Sequence, residues 1–391
     1  MIPAVMPTYG RWDVAVDRGE GCYLYSTDGR KFLDFTSGIA VTSLGHCHPR
    51  LIEALEKQAH ALWHSSNLFQ IPGQQRLAER LVANSFADTV FFNNSGAEAV
   101  ELSIKVARKY QSHIGHPERY RVIGCQGSFH GRSFATLAAA GAEAYLKGFG
   151  PVMDGFDHVA FNNLNEMRAA VSAETAAILV EPVQGEGGVR APSADYLKGL
   201  RAICDEFGLL LVYDEVQCGM GRTGRLFAHE WAEVPPDVMA VAKALGNGFP
   251  IGACLATEKA AVGMVAGSHG STFGGNPMAV ACGNAVLDVM LEPGFFDRVQ
   301  RVARLLEGRL EALVGSYPKL FSEVRGSGLL RGVKCVIPAG EFVAKLRASG
   351  LLCLTAGENV LRILPPLIVS ESQIDEAMAI IDKVAREWPP S

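Results

Sequence analysis

Two ionisable residues each stand at the end of a continuous apolar run: Asp214 after Leu209-Leu210-Leu211-Val212-Tyr213, and Lys243 after Val238-Met239-Ala240-Val241-Ala242. A carboxylate at the carboxyl end of a parallel strand stands where α/β sheets place their ligands, and it can hold a positive charge there. An amine caught between a buried strand and the turn Gly246-Asn247-Gly248 is poorly solvated. Its pKa falls, giving the neutral form that Schiff-base chemistry needs. Taken singly, each has a plainer explanation, a solvated strand-end acid or a snorkelling lysine. Asn93-Asn94-Ser95-Gly96-Ala97 opens a helical pattern with free backbone N–H groups, a seat for phosphate or simply a helix cap. Gly127-Ser128-Phe129-His130-Gly131-Arg132 sets an aromatic face beside an arginine, although a loop phenylalanine is also ordinary core.

Two rival chemistries have a foothold. Gly219-Met220-Gly221-Arg222-Thr223-Gly224 matches GxGxxG, the mark of an NAD-dependent oxidoreductase. The dinucleotide turn must follow its strand at once, however, and Asp214-Glu215-Val216-Gln217-Cys218 intervenes. His46, His48, His60 and His64 could suggest a metal centre, but they fall on different elements, and Gly45-His46-Cys47-His48-Pro49 reads equally well as a turn before a helix. No HExxH or GxSxG anchors zincin or α/β-hydrolase chemistry.

The elements that must position these groups follow from hydrophobic period. Strands are expected near 90–93, 121–125, 176–181, 209–213, 238–241 and 251–256, alternating with helical patterns as βαβ crossovers do. Ala99, Leu102, Val106 and Tyr110 set a helix from Gly96 to about Ser112, and a second spans 194–207. After Gly274-Gly275-Asn276-Pro277, helices over 277–291 and 296–316 precede short strands around 322–337, 351–354 and 360–364 and a last helix near 371–387. Strand-like runs around Thr27-Asp28-Gly29 predict an N-terminal hairpin packed on that later part.

With 391 residues the chain is long enough for two to three domains and a large core, and 48% hydrophobic against 20% charged residues excludes global disorder. The net charge of -5 is interspersed and offers no footprint for nucleic acid or an anionic membrane. Nine scattered cysteines, none in a CxxC, fit a reducing cytoplasm rather than a disulfide framework. No run of 18 uncharged apolar residues and no secretion signal is present, so cytoplasmic localisation is expected.

In combination, Asp214, Lys243, Ser95-Gly96-Ala97 and Phe129 resemble the fold-type I, class III pyridoxal-phosphate aminotransferases. The resemblance runs over essentially the whole chain. It takes in Gly38-Ile39-Ala40-Val41, Gly45-His46-Cys47-His48-Pro49, Asn94-Ser95-Gly96-Ala97-Glu98-Ala99 and Ser128-Phe129-His130-Gly131-Arg132. It continues through Glu181-Pro182-Val183-Gln184-Gly185-Glu186-Gly187-Gly188, Asp214-Glu215-Val216-Gln217, Ala242-Lys243-Ala244-Leu245-Gly246, Gly270-Ser271-Thr272-Phe273-Gly274-Gly275-Asn276-Pro277 and Arg362. Val100 departs from it, the family usually carrying Asn there.

That resemblance implies an α/β fold: a large cofactor-binding domain over 61–275 with a mostly parallel central sheet flanked by helices, and a smaller α+β domain over 276–391 joined by residues 1–60. It implies pyridoxal 5'-phosphate on Lys243, with Asp214 on the ring nitrogen, Gln217 on the 3-hydroxyl and Phe129 and Val216 on the two ring faces. The phosphate would lie on Ser95, Gly96 and Ala97, and Thr272 would reach the phosphate of a second subunit in a homodimer. No metal is implied. The implied reaction moves the ω-amine of N2-acetyl-L-ornithine to 2-oxoglutarate, giving glutamate. Succinylornithine, succinyldiaminopimelate, ornithine and 4-aminobutyrate are the alternative donors. Arg362 would take the carboxylate beside the reacting carbon of glutamate, Glu186 would cover Arg362 when an ω-amine is bound, and Arg132 would clamp the distal carboxylate of both substrates. The family's ornithine δ-aminotransferases place a tyrosine near the Gly38-Ile39 stretch to hold a charged α-amine. Here that stretch has none and Tyr9 alone remains nearby, which implies a preference for the acylated amine.

Overall fold

The computed structural model describes residues 2–389. The N-terminal segment folds into β1 (Val16–Glu20), β2 (Tyr23–Ser26) and β3 (Lys31–Asp34), paired antiparallel through the turn at Thr27-Asp28-Gly29. At the centre, β4 (Thr89–Asn93), β5 (Arg121–Cys125), β6 (Phe156–Val159), β7 (Thr175–Val180), β8 (Leu210–Asp214), β9 (Val238–Val241) and β10 (Gly252–Ala256) form one seven-stranded sheet in the order β4-β10-β9-β8-β7-β5-β6. Every residue of β7, β8, β9 and β10 is buried, as strands covered by helices on both faces must be. Strands β5 to β9 run parallel, whereas β10 is antiparallel to both β9 and β4. The connection from Val241 to Gly252 is too short for a crossover helix, so the chain has to return alongside β9.

Helix Gly96–His113 begins at Ser95, whose Oγ accepts the Glu98 N–H, and it buries Ala99, Leu102, Val106 and Tyr110 against β9 and β10. Helix Tyr196–Phe207 ends at Gly208, where φ of +68° provides the left-handed cap. The chain after Gly274 supplies helix Pro277–Met290, which packs on Pro49–Ala59, Pro72–Ala83 and the Lys243 turn, and helix Phe295–Ser316. A third sheet then forms from β11 (Phe321–Ser327), β12 (Leu330–Cys335), β14 (Leu354–Ala356) and β15 (Val360–Ile363), while β13 (Leu351–Leu352) pairs in parallel with β3 and ties the N-terminal hairpins to the C-terminal part. Helix Glu371–Arg386, closed by a capping box of Ser370 and Gln373, lies against Phe295–Ser316 and Ala339–Ala348.

Several elements carry little sequence signal. Phe134–Ala140 buries all but its first residue, so it has no amphipathic period to read. Pro72–Ala83 buries only Leu77 and Leu81, and β6 is a four-residue edge strand. All nine cysteines are free, and only Cys47 is exposed.

Candidate active site

The register of β8 and β9 sets Asp214 opposite Ala240, so the carboxyl ends of two adjacent strands deliver Asp214 and Lys243 to one edge of the sheet. Lys243 opens a single helical turn, Lys243–Leu245, from a left-handed backbone with φ of +46°. A β-region backbone would carry the chain onward; this one turns it, and the side chain enters a cavity of about 390 Å³ that Asp214 also lines. Burial is the main influence on Lys243 and pulls its pKa below the ordinary lysine range, with Arg362 acting in the same sense against Glu186, Asp214 and Glu181.

Asp214 is buried to 3% exposure. Its Oδ1 accepts the Val216 N–H at 2.9 Å, and Oδ2 lies 2.8 Å from His130 Nδ1. Desolvation opposes charge on His130, but hydrogen bonding to Asp214 and the charges of Asp214 and Glu181 together raise its pKa. Glu181, also buried, accepts the Phe129 N–H on Oε1 at 2.9 Å and the Gly185 N–H on Oε2 at 3.3 Å. One carboxylate thus pins two cavity-forming loops. Burial is the largest influence on Glu181 and raises its pKa.

Across the cavity, the first turn of Gly96–His113 presents Gly96 and Ala97. A Cβ on Gly96 would stand 2.6 Å from Val216 Cγ1, so only glycine lets helix and loop approach this closely. Gln217 faces Gly185 in the same way, since a Cβ there would lie 1.9 Å from its Oε1. Phe129, Val216 and Gln217 complete the lining around Lys243.

A second cavity of about 770 Å³ shares Phe129 and Arg132 with the first and adds Tyr9, Ile39, Tyr145 and Glu186. At its edge, Arg362 of β15 is buried to 2% exposure, and its Nη1 lies 2.6 Å from Glu186 Oε1. Gln217 Oε1 accepts a second contact from Nη1 at 3.3 Å, and the Thr355 carbonyl accepts from Nη2 at 3.4 Å. Burial would raise the Glu186 pKa, but the charge and hydrogen bond of Arg362, helped by Lys243, hold it below the ordinary range. The backbone of Glu186 is fixed by the Gly357 N–H, which donates to its carbonyl at 2.8 Å. Glu186 thus meets Arg362 through its side chain, with its main chain held separately.

The structure thus gathers Lys243, Asp214, Gly96, Ala97, Phe129, Val216 and Gln217 around one cavity, and Arg132, Glu186 and Tyr9 around the adjoining one. Ser95 stands at the exposed mouth, its oxygen engaged as the helix cap. Thr272 lines neither cavity and is exposed, but Ser271 beside it accepts Asn94 Nδ2 at 3.2 Å, so its loop abuts the helix opening. Three residues given no role from sequence join the site: His130, Glu181 and Tyr145. The first two sat unassigned inside recognised motif runs. The donor set fits pyridoxal phosphate: a desolvated amine, a buried carboxylate, and a helix start whose first residues, Gly96 and Ala97, line the same cavity.

The rival sites resolve differently. Arg222 of the GxGxxG match is fully buried, donating to the Pro365 carbonyl at 2.5 Å and to Ser43 Oγ at 3.0 Å, so that loop cross-links the fold. His46 is held by Asp34 at 2.8 Å, and among the described residues no group of three or more metal-ligating side chains forms. No single helix there is long and apolar enough to cross a membrane.

The pattern of the family Aminotransferase class-III matches residues 5–385. The chain is 57% identical over 381 residues to acetylornithine aminotransferase 1 of Bradyrhizobium diazoefficiens, covering 97% of this chain and 94% of that protein. Among solved structures, N-acetylornithine aminotransferase from Stenotrophomonas maltophilia superimposes with a TM-score of 0.85 at 38% identity, covering 97% of each chain. Ornithine aminotransferase from Toxoplasma gondii, which has pyridoxal phosphate at partial occupancy in its active site, superimposes with a TM-score of 0.93 at 32% identity, covering 98% of this chain and 92% of that one. With its strand-end lysine and aspartate, its buried arginine–glutamate pair and these relatives, the chain belongs to the class-III aminotransferases.

Proposed function

We propose that this aminotransferase moves the ω-amine of N2-acetyl-L-ornithine to 2-oxoglutarate, forming N-acetylglutamate 5-semialdehyde and glutamate in arginine biosynthesis. The observation that carries the reading is the 2.6 Å Glu186–Arg362 contact at the edge of a cavity that also holds Arg132. A site for both substrates must accept a carboxylate beside the reacting carbon of glutamate and none there on an ω-amine. Leaving a buried guanidinium unpaired costs about 3–5 kcal/mol, so a movable glutamate resolves the conflict. Arg132 remains for the distal carboxylate that both substrates carry.

Pyridoxal phosphate, when bound, supplies an electron sink for the charge that develops at the substrate carbon. Gly96 and Ala97 would hold its phosphate with Ser95, Asp214 its ring nitrogen, Gln217 its 3-hydroxyl, and Phe129 and Val216 its two faces. Lys243 Nζ, low in pKa, would take a proton from the substrate carbon when neutral and, once charged, deliver it on the cofactor side of the transferred nitrogen. His130 and Glu181 keep Asp214 and Phe129 in place through their hydrogen bonds. Asp214 is thereby held in the orientation in which it would meet the ring nitrogen.

A homodimer in the cytoplasm belongs to the same reading, with Thr272 completing the partner's phosphate site. Its support is an exposed apolar patch beside Thr272, in which Trp63 is 67%, Leu68 91% and Phe69 69% exposed. We also take residues 61–275 as the cofactor domain and 276–391 with 1–60 as the smaller one, on the strength of the β3–β13 pairing. The direct test is borohydride reduction of the holoenzyme followed by peptide mapping. The label is expected on Lys243; an active enzyme labelled elsewhere contradicts the assignment.

A further inference from the structure

Among the described residues, no carboxylate or carbonyl accepts a hydrogen bond from the Arg132 guanidinium, whereas Arg362 has Glu186 and the Thr355 carbonyl as partners. What holds Arg132 is aromatic. Its Cζ lies 3.9 Å from the Tyr145 ring centroid and 5.5 Å from that of Phe129, and the two rings meet edge to face at 6.0 Å and 89°. Tyr145 sits on the short helix Glu143–Leu146, and both it and Arg132 line the outer cavity.

The geometry points to Tyr145 as a positioning residue for substrate recognition: its ring fixes the plane of the Arg132 guanidinium from the face and leaves the edge donors free for a distal carboxylate. This rests on the reading of Arg132 given above. A guanidinium offers its N–H fork in its own plane and a cation–π contact perpendicular to it, so stacking orients the fork without consuming a donor. A carboxylate partner would hold Arg132 as firmly but would compete with every substrate. Phe129 meets Tyr145 edge to face while lining the inner cavity, so the Tyr145 ring that packs on Arg132 is itself seated against that wall.

The test compares Tyr145→Leu with Tyr145→Phe in the holoenzyme. Tyr145→Leu is expected to raise KM for 2-oxoglutarate and for N-acetylornithine about fivefold, the order of a cation–π contact at a partly exposed site. The KM for 2-oxobutyrate, which lacks the distal carboxylate, stays unchanged with kcat and the cofactor absorbance, and Tyr145→Phe, which keeps the ring, behaves as wild type. In an Arg132→Ala background the leucine substitution adds nothing. Calorimetric binding of glutarate to wild type and Tyr145→Leu reads the same clamp without turnover. Failure of the wild type to transaminate N-acetylornithine counts against the proposed function, whereas equal glutarate affinity in the two proteins, or an equal KM rise for 2-oxobutyrate, overturns the role of Tyr145.

Discussion

Arg362 has one carboxylate partner at the site, Glu186, and its burial makes that contact decisive for which substrate can enter. Because Arg362 holds the Glu186 carboxyl below its ordinary range, the pair persists through weakly acidic pH, and its stabilising contribution is lost only as pH falls below the usual glutamate range. Glu186→Ala leaves the arginine uncovered when an ω-amine binds, while glutamate brings its own carboxylate. Single-turnover spectra are expected to show the amine half-reaction slowed about tenfold or more and the glutamate half-reaction changed far less. Equal losses in the two would make Glu186 a structural residue. Asp214 and Lys243 were legible in the sequence because each closes an apolar run at a strand end. His130, Glu181 and Tyr145 were not, since each acts through a contact with a distant or irregular segment that no local period records.

Among the elements, the turn over Ser37–Ala40 is built against backbone preference, with φ of +46° at Ser37, +60° at Gly38, +66° at Ile39 and +62° at Ala40. Left-handed backbone costs an L-residue about 1–2 kcal/mol, more so for a β-branched one. The turn is held by Ser37 Oγ, which donates to the Leu364 carbonyl at 2.6 Å, next to the strand that carries Arg362. Ile39 is 41% exposed and lines the outer cavity, so removing its side chain forfeits little burial. Ile39→Gly is expected to stabilise the protein by about 1 kcal/mol in denaturant titration and to relax discrimination against ornithine; a destabilised variant contradicts the strain. Such a turn is invisible to hydrophobic period, as is the wholly buried Phe134–Ala140. The strands of the central sheet were readable because burial on both faces demands continuous apolar runs. The reversal of β10 depends instead on how short its connection is.

At the scale of the whole molecule, the Thr272 loop and the patch around Leu68 meet: Asn67 Nδ2 donates to the carbonyls of Ser271 and Gly274 at 3.0 Å, and His64 packs on Phe273 at 5.2 Å. On the proposed dimer, a polar substitution in that patch would separate subunits and disable the site together. Leu68→Asp is expected to give an inactive monomer by light scattering, and an active monomer would refute a shared site. The specificity claim draws on both cavities at once. In the outer cavity Ile39 is apolar and the one carboxylate, Glu186, is engaged by Arg362, so a charged α-amine would lose hydration without gaining an unpaired partner, and Arg132 would repel it while still binding the adjacent carboxylate. The most direct measurement is kcat/KM for N-acetylornithine and for ornithine at saturating 2-oxoglutarate. A clear preference for N-acetylornithine is predicted; ornithine matching or exceeding it would contradict the proposed substrate.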